Sequence, residues 1–253
     1  MTRPRFAIYA VPGAGLADAV GAVLCQRAEQ WLGRSASGHP VTPGVPVGWT
    51  RAELDAITAS ARRYGFHATL KAPFRLAGQR TPEELDAALA RFAASHAGAL
   101  VPRLSLACLG GFYALVPGAG AEGLHALADE VVTAFDAFRA PATAAEIARR
   151  HPESLTPRQR RLLNAWGYPY VLDEFRFHLT LTDRIPRGRR SAVERTLSGW
   201  FAAFLGITVP VGALALFTED APGAPFSLRA VYPLRPVPSS RRADAPAESE
   251  GTR

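Results

Sequence analysis

The 253-residue chain carries a net charge of +7 at neutral pH, and 48% of its residues are hydrophobic, enough to bury a core. No window is long and apolar enough to cross a bilayer, and Met1 to Gly13 lacks the apolar run of a signal peptide. Two cysteines, Cys25 and Cys108, have no partner at metal-ligand spacing, so a membrane span, a disulfide scaffold and a thiolate metal site are excluded and a cytoplasmic protein with buried free thiols is expected. Almost all the positive charge is arginine, with Lys71 the single lysine. The arginines are scattered or sit in short runs (Arg62-Arg63, Arg160-Arg161, Arg189-Arg190, Arg241-Arg242) and form no basic stripe. The charge points to an anionic ligand without choosing its size.

In chain order, Phe6 to Val11 alternates as a strand and ends at Pro12-Gly13. A helix pattern follows from Leu16 to Leu32, with Val20, Val23, Leu24, Ala28 and Leu32 on one face. Residues 33–50, rich in Gly, Pro and Ser, read as a loop. A charged helical piece covers 51–61, and a strand runs through Phe66 to Leu70. Thr81-Pro82-Glu83-Glu84 is a helix start, with a capping threonine, proline at the first position and acids in the first turn. That helix runs to about His96, and strand-like segments cover 104–109 and 112–116.

A second round then begins. Helix patterns cover 122–138 and 190–204, and strand patterns cover 173–183, 207–218 and 226–233. Residues 139–170 have no counterpart in the first round and read as an inserted helical hairpin, with a helix start at Thr156-Pro157-Arg158-Gln159. The end from 236 to 253 has the composition of a disordered tail. The expected fold is α+β and bilobal: one catalytic domain over 1–235, lobe one over about 5–118, the insertion, and lobe two in the remainder. Two antiparallel sheets are expected to flank a central cleft, with helices outside.

Two pentads stand out. Phe66-His67-Ala68-Thr69-Leu70 and Phe177-His178-Leu179-Thr180-Leu181 share four residues of five, in a chain with six histidines. Strand alternation buries Phe66, Ala68 and Leu70 and leaves His67 and Thr69 on the open face, about 7 Å apart. It does the same for His178 and Thr180. Breaking a phosphodiester requires a base for the attacking water and an acid for the leaving oxygen, and imidazole serves both near neutral pH. Threonine hydroxyls suit the non-bridging oxygens, where charge builds in the transition state.

His67-Ala68-Thr69-Leu70 and His178-Leu179-Thr180-Leu181 resemble the paired His-x-Ser/Thr-hydrophobic motifs of the 2H (two-histidine) phosphoesterase superfamily. The resemblance covers about residues 5–234 and implies a bilobal α+β fold whose motifs line one cleft. Arg63 to Lys71, and Trp166-Gly167-Tyr168-Pro169-Tyr170 ahead of Phe175-Arg176-Phe177-His178, look like a bacterial subfamily commonly encoded beside phosphonate-degradation genes. That resemblance implies a cyclic phosphodiesterase acting on 5-phosphoribosyl 1,2-cyclic phosphate. The alternative reading is an enzyme of RNA ends, a 2′,3′-cyclic phosphodiesterase as in other branches of the superfamily or a ligase-like enzyme, and a third reading keeps the fold as a non-catalytic RNA-binding module.

Around the tetrads, period two puts Lys71 with His67 and Thr69, and Arg176 with His178 and Thr180, so both are candidates to neutralise a phosphate. Tyr64 and Tyr168 are candidates to stack on or bond a sugar. Arg158, with Arg160 and Arg161, is expected to place the insertion over the cleft against a second phosphate. His39, His96, His125 and His151 lack repeated context and read as surface residues. No ligand set for a metal and no phosphate-binding glycine loop is visible, so neither metal nor cofactor is expected.

Overall fold

The computed structural model describes residues 4–15 and 18–237, so Leu16 and the tail beyond 237 lie outside the described residues. Strand β1 (Arg5–Ala10) has apolar side chains on both faces, and Phe6 to Ala10 are all at most 2% exposed. A strand buried on both faces belongs in the middle of a sheet. Accordingly, β1 lies between β2 (Ala68–Arg75) and β8 (Ala213–Glu219), and β9 (Ser227–Pro233) completes an antiparallel four-stranded sheet. A three-stranded antiparallel sheet contains β4 (Ser105–Leu109), β5 (Phe112–Val116) and the two-residue β6 (Leu179–Thr180). Strands β3 (Ala99–Val101) and β7 (Val209–Val211) form a further antiparallel pair.

The fold is α+β with antiparallel sheets, as expected, but the sheets do not divide at residue 118. The four-stranded sheet joins the first strand to the last two, and β5, with β4 on its other side, pairs with the strand of the second tetrad. Strand patterning is local and carries no information about which strand pairs with which. The strand expected over 173–183 shrinks to two residues. Leu172–Glu174 forms a 3-10 turn, and the hydroxyl of Thr182 accepts the Tyr113 N–H at 2.9 Å where ladder pairing would continue.

The helices are α1 (Ala19–Leu32), α2 (Arg51–Tyr64), α3 (Pro82–Ser95), α4 (Glu122–Ala134), α5 (Ala144–Ala148), α6 (Pro157–Trp166) and α7 (Arg190–Trp200). Thr50, Thr81, Thr143 and Thr156 each close a capping box on α2, α3, α5 and α6. No described helix is long and apolar enough to cross a membrane. Cys25 is largely buried, which pushes its thiol up to about 12 with Glu29 adding to the shift. Cys108, expected in the core, is instead exposed on the edge strand β4.

Helices of the first half hold the second tetrad in place. Trp31 of α1, fully buried, donates its indole N–H to the Leu181 carbonyl at 2.8 Å. Asp183 inserts into α2: its N–H bonds the Ile57 carbonyl at 2.7 Å, and its carboxylate accepts the Ser60 and Ala61 N–H groups at 3.0–3.1 Å. Each such bond is worth about 1 kcal/mol net, and together they fix β6 relative to the helix that leads into the first tetrad.

The segment 139–170 docks on the far end of β2. Arg75 donates to both carboxylate oxygens of Glu146, at 3.1 and 3.0 Å, and to the Pro141 carbonyl. Leu162, Val132 and Val171 form a small apolar cluster beneath it, with Trp166 and Tyr168 packed against them.

Candidate active site

Each tetrad histidine is the last residue before its strand begins, and each strand is the edge of its sheet. The burial alternates as the sequence implies. Phe66, Ala68, Leu70, Phe177, Leu179 and Leu181 are at most 3% exposed, while His67, Thr69, His178 and Thr180 are half-buried. A cleft of about 650 Å³ is lined by His67, Thr69 and Thr180, with Phe112 on the side of the second tetrad. His178 is not itself among the lining residues; its ring lies 5.7 Å, centre to centre, from that of Phe112, which is.

The two imidazoles are held in the same way. His67 Nδ1–H donates to the Gly65 carbonyl at 2.9 Å, and His178 Nδ1–H donates to the Arg176 carbonyl at 2.7 Å. A carbonyl only accepts, so Nδ1 carries the hydrogen in both rings and Nε2 is the nitrogen left for chemistry. At His67 the Thr69 hydroxyl donates to that Nε2 at 3.2 Å. The first carbonyl is placed by Gly65, whose φ of 78° and ψ of 176° are tolerated by glycine alone.

Burial pushes the His67 pKa down to about 4; the nearby His178 adds to the fall, and the Gly65 carbonyl opposes it. The His178 pKa is also lowered by burial, with the Arg176 carbonyl opposing. A proton on one imidazole therefore disfavours a proton on the other, the coupling expected of a proton-transfer pair. The His67 ring stacks on Tyr9 at 3.8 Å, and Tyr9 is 1% exposed.

The other sequence candidates separate. Tyr64 and Tyr168 line the cleft. Lys71 does not: it is 3% exposed, and its Nζ donates to the Val132 carbonyl at 3.0 Å and to Asp136 at 3.1 Å. The period-two argument fails there because β2 is irregular, Tyr9 pairing with Thr69 but Ile8 with Lys71. The Arg176 side chain is exposed and outside the cleft lining, so the residue contributes its carbonyl. Arg158 turns outward and binds Asp173 through two nitrogens. Arg160 bonds the Leu155 carbonyl at 2.8 Å.

In their place, Arg5, Arg150 and Arg184 supply the guanidinium groups of the lining. The one carboxylate there, Asp183, is committed to the N–H groups of α2. No local sequence signal marks Arg5 or Tyr9, since both sit in the strand most distant from the tetrads in chain order. Arg150 lies in the insertion but outside the helix that carries the arginine cluster. Among the described residues, no group of three or more His, Cys, Asp and Glu is placed to hold a metal ion.

A family described as "Protein of unknown function (DUF1045)" matches residues 69–227, more than half of the chain, including the second tetrad whole. The chain belongs to that family. It is also 38% identical over 234 residues to ribose 1,5-bisphosphate phosphokinase PhnN of Janthinobacterium sp. (strain Marseille), a match covering 88% of this chain and 49% of that protein. A protein of the same name from Laribacter hongkongensis (strain HLHK9) is 36% identical over 247 residues, covering 95% and 54%. The chain thus spans about half the length of the curated relatives it matches. Among solved structures, it is similar to E. coli LigT in complex with 3′-AMP at 15% identity and a TM-score of 0.39, covering 92% of this chain and 99% of that one. It is likewise similar to TT0787 of Thermus thermophilus at 20% identity and a TM-score of 0.36, covering 92% and 98%.

Proposed function

We propose that the chain is a cyclic phosphodiesterase that opens a small cyclic sugar phosphate with His67 and His178 as its proton-transfer pair. The observation that carries this reading is the matched tethering of the two imidazoles, each giving Nδ1–H to the carbonyl two residues earlier and so leaving Nε2 as the proton-transferring nitrogen. Such tethering fixes the tautomer, which a general base and a general acid both require. His67, the more strongly depressed of the two, is the base: its neutral Nε2 takes a proton from water as the water oxygen bonds to phosphorus. His178 is the acid: its Nε2–H protonates the ring oxygen as the phosphorus–oxygen bond breaks. The product is a phosphomonoester. With substrate bound, Thr69 turns its single hydroxyl hydrogen from His67 Nε2 to a non-bridging oxygen, which frees the base, and Thr180 donates to the same phosphoryl group, where negative charge grows.

The substrate we favour is 5-phosphoribosyl 1,2-cyclic phosphate. Three guanidinium groups around the cleft suit an anion of more than one charge. The relatives that share this segment are named for a kinase of ribose 1,5-bisphosphate, a ribose phosphorylated at the same two positions. Resemblance to the phosphonate-associated subfamily points the same way.

Phosphorus NMR tests the proposal, following purified protein with this substrate, and with a nucleoside 2′,3′-cyclic phosphate, in excess EDTA. Ring opening of the ribosyl substrate is expected, slowed at least ~10²-fold in His67→Ala and in His178→Ala with folding retained. Full activity in either variant sinks the two-histidine mechanism. Loss on chelation, restored by zinc or manganese, sinks the metal-independent one, and preference for the nucleotide moves the substrate to RNA ends.

A further inference from the structure

Beyond the histidine pair, the cleft has one corner where phenols and guanidinium groups gather. Tyr9, Tyr64 and Tyr168 line it together with Arg5 and Arg150. Tyr9 and Tyr64 both lie against the His67 ring, at 3.8 and 6.1 Å between centres. The Tyr9 phenol is held well above its usual pKa, by burial first and then by Tyr64 and Tyr168, with Arg5 opposing. Tyr168 is raised by burial, with Arg150 opposing.

The polar groups of this corner are largely uncommitted. Tyr9 is 1% exposed overall, but its hydroxyl makes no hydrogen bond among the described residues and is not one of the buried polar atoms left without a partner, so it opens on the cleft that the residue lines. The hydroxyls of Tyr64 and Tyr168 likewise have no partner among the described residues. Arg150 lies over the Tyr168 ring, 4.8 Å from its centre, and has no carboxylate in ion-pairing reach among the described residues. Arg5 gives its Nε–H to Glu219, which is buried and also holds Arg63. Arg5 lines the cleft, and its terminal amino groups make no hydrogen bond among the described residues, which leaves them to a ligand.

We propose that this corner is a phosphomonoester subsite, in which Arg150, Arg5 and the Tyr9 and Tyr168 hydroxyls bind a second phosphate of the substrate that takes no part in the reaction. The groups present are donors, and a phosphate dianion is acceptor-only at neutral pH. A sugar hydroxyl would leave the Arg150 guanidinium without a counter-charge among the described residues. The corner adjoins His67 through the Tyr9 stack. Arg150 and Tyr168 come from the segment 139–170, which has no counterpart in the first half. The subsite therefore breaks the pseudo-symmetry of the tetrads and sets which way round the substrate enters.

Which group reacts rests on the proposed function, but phosphate binding here is measurable without turnover. Calorimetry of the full chain with ribose 5-phosphate, and with ribose as control, reads the subsite directly. Binding of ribose 5-phosphate is expected to weaken at least ~10-fold in Arg150→Gln and several-fold in Tyr168→Phe, and to persist in His178→Ala, on the scale of a lost charged hydrogen bond. Ribose is expected not to bind measurably. In turnover, Arg150→Gln is expected to lower the ratio of kcat/KM for a 5-phosphorylated over an unphosphorylated ribosyl cyclic phosphate by a similar factor. Wild-type protein that ignores ribose 5-phosphate overturns the subsite. So does Arg150→Gln binding at full strength, or His178→Ala losing as much as Arg150→Gln. Binding that behaves as expected in a protein that opens no cyclic phosphate leaves the subsite standing and removes the proposed reaction.

Discussion

Thr69 donates its hydroxyl hydrogen to Nε2 of His67 across 3.2 Å, a bond that Thr180 does not make to His178 among the described residues. The hydroxyl occupies the lone pair of the proposed base, so it has to turn to a phosphoryl oxygen before His67 takes a proton. Thr69→Val keeps the shape and removes the donor. It is expected to lower kcat by about 10–10²-fold, with Thr69→Ser retaining most activity. Steady-state kinetics check this, and an unchanged kcat in Thr69→Val removes the threonine from the reaction.

The pH dependence follows from the two depressed histidines. His67 acts as base only when neutral, so kcat/KM rises as pH climbs through about 4. His178 acts as acid only when protonated, so kcat/KM falls as pH climbs through its pKa, which lies below the usual 6.5. The expected profile is a bell peaking on the acid side of neutrality, with limbs belonging to the coupled pair. Bound anionic substrate favours both protonated forms, so the kcat profile should lie to the alkaline side of the kcat/KM profile. A kcat/KM that climbs steadily above pH 7 contradicts the assignment.

Gly65 supplies the carbonyl that fixes the His67 ring, from a backbone conformation closed to other residues. A β-carbon there would also lie 2.8 Å from the Ala36 β-carbon. Gly65→Ala is expected to cost about 1–3 kcal/mol of stability. It should also lower kcat at least ~10-fold, because the base moves out of line. Thermal unfolding and kinetics measured together separate the two effects.

Lys71 serves the fold. Its ammonium group joins β2 to the end of α4 through the Val132 carbonyl and Asp136, and burial lowers its pKa to about 8 despite Asp136. In Lys71→Met the Val132 carbonyl loses its donor while Asp136 keeps Arg139. The expected result is a loss of about 1–3 kcal/mol in chemical denaturation, with the KM of the folded fraction changing by less than about threefold. A large rise in KM at full stability would return Lys71 to the substrate.

The sequence by itself determined the tetrads and their faces, because strand alternation is a local property and Phe66, Ala68 and Leu70 have to be buried wherever the strand goes. It likewise determined the capped starts of α3 and α6, whose threonine, proline and third-position acid or amide act within one turn. Only the tertiary structure decided which charges enter the cleft. Arg158 was captured by Asp173, fifteen residues on, and Lys71 by Asp136, sixty-five residues on, while Arg5 was held by Glu219 at the opposite end of the chain. A long charged side chain has no face of its own; it goes to the partner that the packing of distant segments supplies. The same holds for the sheets, where β1 and β8 pair across some two hundred residues of chain that no periodicity spans.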